Sequence, residues 1–236
     1  MDSNKAALDG KPLSAEQAFD SIGPAYETAF EGDPEQLVSI KWLLSQLEAA
    51  NIKGAHIVDI GCGTGKPVCG ALAAAGHDVL GIDISAAMVE SARERVPAAR
   101  FEQVDMRDFI ASAAEGSFDA VTAYFSMIVS VTQEDIRQFI AGIYRLVRPG
   151  GFFVFASVPV HVENLQIKFM GRPIQVSNLG PEETLEWMKN VGFEVEHEAI
   201  TTFLPKGVEA GICKPEEVSE EPHLFVCAKK PAIEKT

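Results

Sequence analysis

Val58-Asp59-Ile60-Gly61-Cys62-Gly63-Thr64-Gly65 carries the pattern on which the fold of this chain turns. An apolar stretch runs into an acid, three glycines follow at alternate positions, and a run with helical character, 66–75, comes next. Glycines let the backbone turn sharply and let a ligand approach closely, and the free amides at a helix start offer hydrogen bonds. The segment predicts a strand, a loop and a helix arranged around a nucleotide-type ligand. A glycine-rich turn alone can equally serve to pack a helix on a sheet, so the flanking sequence decides.

Toward the C-terminus, Gly76-His77-Asp78-Val79-Leu80-Gly81-Ile82-Asp83 reads as a second strand whose final acid stands 18 residues after Gly65. A carboxylate there can accept from both hydroxyls of a ribose. Phe101-Glu102-Gln103-Val104-Asp105-Met106 ends a third strand. Asp105 is suited to accept from an adenine amino group, with Met106 and Ile84 against the faces of the ring. Three strand ends thus converge on one adenosine-sized crevice, where open α/β sheets bind ligands.

Further outward, strands are expected at His56–Ile60, 79–82, 100–104, 120–124 and 151–157, with helices at 66–75 and 86–96 between them. Such alternation implies a mainly parallel sheet with helices on both faces. The chain after Pro159 reads as less regular up to Pro181-Glu182-Glu183, which favours a helix to about Asn190. Strands at 193–200 and 223–228 then close the sheet. On the N-terminal side, Ser14-Ala15-Glu16-Gln17 has the form of a capping box and starts a helix toward Ile22. Gly23-Pro24 breaks it, and a second helix begins near Pro34, with Leu37, Ile40, Leu44 and Leu47 at helical spacing. The first dozen residues are polar without periodicity and read as a frayed leader.

Composition bounds the remaining possibilities. The 236 residues, 47% hydrophobic and 23% charged, suit one globular α/β domain spanning 1–236. No apolar run approaches the ~20 residues of a membrane span, and no basic-then-apolar leader opens the chain, so a cytoplasmic location is expected. Cys62, Cys69, Cys213 and Cys227 form no CxxC pair and have no histidine at ligand spacing, so no metal site is expected. A net charge of -14 repels phosphate backbones and anionic lipid, which argues against nucleic-acid and membrane partners.

With these motifs in place, the run from Val58 to Asp108 resembles the cofactor-binding half of the class I S-adenosylmethionine-dependent methyltransferases. Asp59, Gly61, Gly63 and Gly65 match the positions that hold the methionine portion in that family, Asp83 matches the ribose-binding acid and Asp105 the adenine-binding acid. Cys62, Ile84, Met88, Met106 and Tyr124 complete the cofactor contacts that the resemblance implies. Later hallmarks are present too: Phe118-Asp119-Ala120-Val121, Leu146-Val147-Arg148-Pro149-Gly150-Gly151 and Val191-Gly192-Phe193. The resemblance extends over about 19–229. It implies a Rossmann-like sandwich with a seven-stranded, mostly parallel sheet, the last strand antiparallel, helices on both faces and a helical cap at 1–54 preceding a core at 55–236. S-adenosylmethionine is then the cofactor, leaving S-adenosylhomocysteine. Lys66-Pro67 departs from many relatives, yet proline in a first helical turn is benign. Lys66 also occupies the place of the third glycine of a dinucleotide fingerprint, which disfavours a nicotinamide cofactor.

The acceptor side is open in the sequence. In the family it is built from the N-terminal cap, here about 19–30, and from the segment after the fifth strand, here 158–180. Tyr26 is a candidate lid and catalytic residue beside the sulfonium or carboxylate, or else an aromatic packing a helix on the core. His161, just beyond the fifth strand, is the candidate general base, or else a solvated loop histidine. Glu163 and Tyr124 are weaker candidates for the base, the former reading otherwise as a surface charge and the latter as cofactor-facing; Phe125, Ser126 and Met127 read as pocket lining, and 169–174 as either pocket wall or plain connection. His197 and His223 read as structural, and Glu216-Glu217 with Glu220-Glu221 as a solvated loop. The expected function is methyl transfer to an oxygen, nitrogen or sulfur atom of a small-molecule acceptor by a monomer or homodimer. The alternatives are a protein methyltransferase or a cofactor-binding protein that methylates nothing.

Overall fold

The computed structural model describes residues 11–233, so the expected frayed leader lies outside the described residues as far as Gly10. Past that point the chain is already engaged: Leu13 pairs with Ile174. Ser14 then caps α1 (Ala15–Ile22) through the expected box with Gln17, and Gly23 ends it. A short helix, α2 (Ala25–Phe30), intervenes before α3 (Pro34–Ala49), whose N-cap Asp33 accepts from the Glu35 amide.

The core then alternates: β1 (His56–Ile60), α4 (Val68–Ala74), β2 (Asp78–Asp83), α5 (Ala86–Arg95), β3 (Arg100–Gln103), α6 (Met106–Ser112), β4 (Phe118–Tyr124), α7 (Gln133–Leu146) and β5 (Val147–Ser157). Two strands, β6 (Val162–Phe169) and β7 (Arg172–Asn178), follow, then α8 (Pro181–Val191), β8 (Glu194–Phe203) and β9 (Glu221–Lys229). The sheet runs β3-β2-β1-β4-β5-β9-β8. β1 to β5 pair in parallel, and β9 enters antiparallel to both β5 and β8. This is the seven-stranded Rossmann-like arrangement expected from the sequence, with the chain reversal at β1/β4 that opens a crevice at the strand ends. Among the described residues, no helix is long and apolar enough to cross a membrane.

Two expectations need correction. The helix after the glycines begins at Val68, so Pro67 stands ahead of it and not in its first turn. The segment 158–180 is not irregular but largely a β-hairpin, β6 against β7, forming a sheet of its own. Leu165, Ile167 and Phe169 alternate with polar residues there, which is the period of a strand. Its turn places Met170 and Gly171 both at positive φ, a conformation usually signalled by asparagine or aspartate, so methionine conceals it.

Each sheet face is covered. Ile136, Phe139, Ile140, Ile143 and Leu146 of α7 lie buried on one face, and Ile40, Leu43, Leu47, Val68 and Leu72 on the other. Each such side chain contributes about 1.5–3 kcal/mol by leaving water. A third, smaller core of Ala18, Val129, Ile174 and Val176 joins the hairpin to α1. Arg172 reinforces that junction, donating to the carbonyls of Ser21 (2.8 Å) and Ile212 (2.7 Å). Replacing Ile140, fully buried, by alanine is expected to cost about 2–5 kcal/mol in urea unfolding. Ile200→Ala, at a side chain 57% exposed, should change stability by less than about 0.5 kcal/mol.

Candidate active site

The carboxyl ends of β1, β2 and β4 open into a continuous trough. One end, of about 90 Å³, is lined by Asp83, Ile84, Met88, Val104, Asp105 and Met106. The other, of about 400 Å³, is lined by Asp59, Cys62, Thr64, Lys66 and Asp33. Tyr26, Gly61, Gly63, Tyr124 and Phe125 belong to both. The structure therefore brings together eleven residues that the sequence singled out for one ligand: Asp59, Gly61, Cys62, Gly63, Asp83, Ile84, Met88, Asp105, Met106, Tyr124 and Tyr26. Gly65 does not line either end; a Cβ there would press on Phe101 and Val96 at 3.1–3.2 Å, so its role is to let α4 approach β3.

How the glycine loop holds its shape corrects a detail. Its amides face the protein: Gly61 and Cys62 both donate to the Ile82 carbonyl (2.8 and 2.9 Å), and Gly65 donates to Cys62 (2.9 Å). The Gly63 amide donates to Asp83 Oδ2 at 2.9 Å, and Asp83 Oδ1 accepts from Ser85 at 2.9 Å. The glycines thus contribute closeness more than donors. Gly63 has φ of 53° and open space where a Cβ would stand, and Gly61 lies against Ser126, whose Cβ would be 2.2 Å from an added methyl.

Electrostatics mark the same trough. Asp59 is 2% exposed and accepts from Thr122 Oγ1 (2.7 Å) and Cys69 Sγ (3.3 Å). Burial overrides those bonds and pushes its pKa up to about 6. Burial likewise raises Asp83. Two acids with destabilised charge, Asp59 buried and Asp83 half-buried, are suited to a cationic or hydroxyl-bearing ligand. Asp105 caps α6 through the Arg107 amide (2.8 Å), and the Tyr124 hydroxyl is taken by Ser39 (2.8 Å), so its ring and not its oxygen faces the trough. The Ser126 hydroxyl is buried with no partner.

The helical cap lies across this trough and is fastened at both ends. Asp20 accepts from Ser85 Oγ (2.6 Å) and the Ala87 amide (3.2 Å), and Glu27 accepts from Thr64 Oγ1 (2.6 Å) and Arg95 (3.0 Å). Between them Phe19 meets Tyr26 edge-on, ring centroids 5.6 Å apart, and Tyr26 stacks on Phe30 at 4.6 Å. Burial, with Glu221 and Asp83 nearby, holds the Tyr26 phenol well above its usual range.

Behind Tyr26 lies a second chamber of about 210 Å³, walled by Phe19, Phe30, Phe125, Val160 and the hairpin residues Leu165, Ile167, Phe169 and Ile174. Tyr26 and Phe125 line this chamber and both ends of the trough. Phe125 adopts φ of 54°, a costly backbone for a bulky side chain. His161 is not brought here: it is exposed, and its Nδ1 pairs with Glu183 of α8 at 2.9 Å. The histidine that lines the larger end of the trough is His223, expected to be merely structural. It is 2% exposed in its side chain, between Asp33 Oδ2 (2.7 Å) and Glu221 Oε1 (3.1 Å). Burial lowers its pKa, but the two carboxylates outweigh burial and raise it. Glu221 is correspondingly no solvated loop residue but the first residue of β9 and part of the chamber wall. Glu163 does remain at the surface, accepting from the Gln133 amide.

A family model described as Methyltransferase domain matches residues 57–151. A demethylmenaquinone methyltransferase of Clavibacter sepedonicus is 31% identical over 166 residues, covering 66% of this chain and 64% of its own length. A ubiquinone biosynthesis O-methyltransferase of Saccharophagus degradans is 28% identical over 176 residues, covering 67% and 71% respectively. For five further curated relatives, the chain spans 41–62% of their length. In fold, the chain is similar to a SAM-dependent methyltransferase of Methanosarcina mazei, with a TM-score of 0.63 over 79% of this chain and 97% of that one at 16% identity.

The raised pKa of Asp59 has a stability consequence with a definite sign. Its folded pKa of about 6 exceeds the ordinary aspartate value of 3.8, so the folded state binds the proton more tightly and stability falls as pH rises from about 4 to about 6. Asp59→Asn is expected to remove this slope. At pH 7 the variant should unfold at higher urea than the parent, by up to about 3 kcal/mol, with the difference closing below pH 4.

Proposed function

We propose that this chain, which resembles the class I S-adenosylmethionine-dependent methyltransferases over its cofactor-binding half, transfers a methyl group from S-adenosylmethionine to an oxygen, nitrogen or sulfur nucleophile of a small molecule. The observation that carries this reading is the sharing of Tyr26 and Phe125 by trough and chamber, which gives cofactor and acceptor one meeting point. The names of the relatives, which concern quinone biosynthesis, agree with a small acceptor.

The residues fit the cofactor. Open space at Gly63, the unpartnered Ser126 hydroxyl and the buried Asp59 together suit a methionine portion, with Asp59 opposite its amino group. Asp83 would hold the ribose, and Ile84, Met88 and Met106, which line the same end of the trough, would bound the adenine, with Asp105 at its edge. When bound, S-adenosylmethionine supplies a methyl group on a sulfonium, an electrophile that needs no metal-like activation. The protein's own contribution is to align the nucleophile and exclude water. Phe19, Tyr26 and Phe30 form the water barrier, and the Asp20 and Glu27 contacts hold it shut. Because the cap must open for a ligand to enter, it is the moving part.

Calorimetric titration with S-adenosylhomocysteine tests the cofactor site. Asp83→Ala should lose about 1.5–3 kcal/mol of affinity, and Gly63→Val should abolish binding while circular dichroism stays unchanged. Incubation of S-adenosylmethionine with a panel of small hydroxy, amino and thiol compounds should yield S-adenosylhomocysteine with at least one of them. Tight cofactor binding with no turnover across the panel would leave a binding protein and sink the enzymatic reading.

The cap gives a separate expectation. Amide exchange across 19–30 should slow when S-adenosylhomocysteine is added, more than in β8 and β9. Unchanged exchange there would assign the water barrier to the hairpin instead.

A further inference from the structure

We propose that the chamber behind Tyr26 and Phe125 takes an acceptor with a hydrocarbon body and a neutral hydroxyl group, and that Glu221, positioned by His223, receives the proton of that hydroxyl. This rests on the methyltransferase reading above and gives it a substrate class.

The chamber's lining is aliphatic and aromatic apart from Tyr26, Asn178 and Glu221. Asn178 Oδ1 already accepts from Ser157 Oγ at 2.9 Å, so Glu221 is the one carboxylate offered to an occupant. His223 orients it. Its Nε2 faces Glu221 Oε1 and its Nδ1 faces Asp33 Oδ2, while Phe125 (4.4 Å) and Phe203 (5.5 Å) lie against the ring. An acidic partner on each ring nitrogen favours the imidazolium, whose Nε2–H donates to Glu221 and keeps it aimed. The sequence contains no local sign of this set, because Asp33 and His223 are 190 positions apart.

The lining decides the ligand class. An ammonium ligand would lose its water to hydrocarbon walls. A neutral hydroxyl loses far less and finds an acceptor waiting. In the step itself, the oxygen's lone pair forms the bond to the methyl carbon, the carbon–sulfur bond breaks with its pair going to sulfur, and the hydroxyl proton passes to Glu221. The charged and titratable groups facing Glu221 and His223 are Asp33 ahead of α3 and Tyr26 on α2, with Asp83 beyond it. β8 opposes Glu221 with Phe203, and the end of β4 presents Phe125.

The experiment is calorimetric titration of the protein saturated with S-adenosylhomocysteine, using 1-naphthol, naphthalene and 1-naphthylmethylamine as probes. The expected order is 1-naphthol at least about tenfold tighter than naphthalene, and the amine weaker than the alcohol. Glu221→Ala should reduce 1-naphthol to the affinity of naphthalene, and Ile167→Trp, which fills the chamber, should weaken both. His223→Ala should likewise bring 1-naphthol toward the affinity of naphthalene while leaving naphthalene unchanged, and His223→Gln, whose amide can still donate to Glu221, should restore part of the preference. If Glu221→Ala no longer binds S-adenosylhomocysteine, the isosteric Glu221→Gln replaces it, with a reduced preference for 1-naphthol over naphthalene as its readout. Equal binding of naphthol and naphthalene, tighter binding of the amine, or an unchanged naphthol preference in His223→Ala each overturns the proposal. Failure of the parent protein to bind S-adenosylhomocysteine would overturn the cofactor reading instead.

Discussion

The carboxylate of Asp83 holds the ligand end of the molecule in register. It accepts from Gly63 on one side and Ser85 on the other, while the carbonyl one residue earlier, that of Ile82, takes the Gly61 and Cys62 amides. The loop leaving β1 is therefore sewn to the last two residues of β2. Both contacts of the helical cap depend on this seam, since Glu27 grips Thr64 within the loop and Asp20 grips Ser85 beside it. Hydrogen bonds to a charged group contribute about 1.5–3 kcal/mol each. A change at Asp83 therefore reaches the cap through both of its anchors.

What the sequence made legible is local. The glycine loop, the acids that end β2 and β3, and the capping box at Ser14 each compress a physical requirement into a few adjacent residues, and the structure places them as read. What it concealed is set by distance along the chain. Glu221 and His223 read locally as a member of an acidic run and a strand histidine, Asp33 draws no reading at all, and the three become one network only when β9 lies beside the start of α3. His161 failed for the converse reason. Its position after β5 suggested the site, but the chain turns outward there and offers it Glu183.

The hairpin shows a third kind of concealment, in which the pattern was present but its punctuation was unusual. Alternation over Leu165, Ile167 and Phe169 is that of a strand, and the turn at Met170-Gly171 uses left-handed backbone without the customary residue types. Its value to the molecule lies in its inner face, which supplies the apolar wall of the chamber, while Arg172 ties its tip to α1. Wall and cap are thereby coupled as one unit.

The position of β9 also governs the order in which the molecule can be completed. It is the last strand in the chain, yet it lies between β5 and β8, and β8 pairs with no other strand. As the chain leaves the ribosome from its N-terminus, β1 to β5 emerge with all their parallel partners, so the trough can assemble while Glu221 and His223 are still unmade. β8 emerges with both edges open and must wait. Unpaired strands invite pairing with other chains, and here Glu194, Glu196 and Glu198 stand on its exposed face at alternate positions. Three carboxylates in a row on one face repel a second copy of the same strand. The nascent chain thus carries its own protection against aggregation through the interval before β9 arrives.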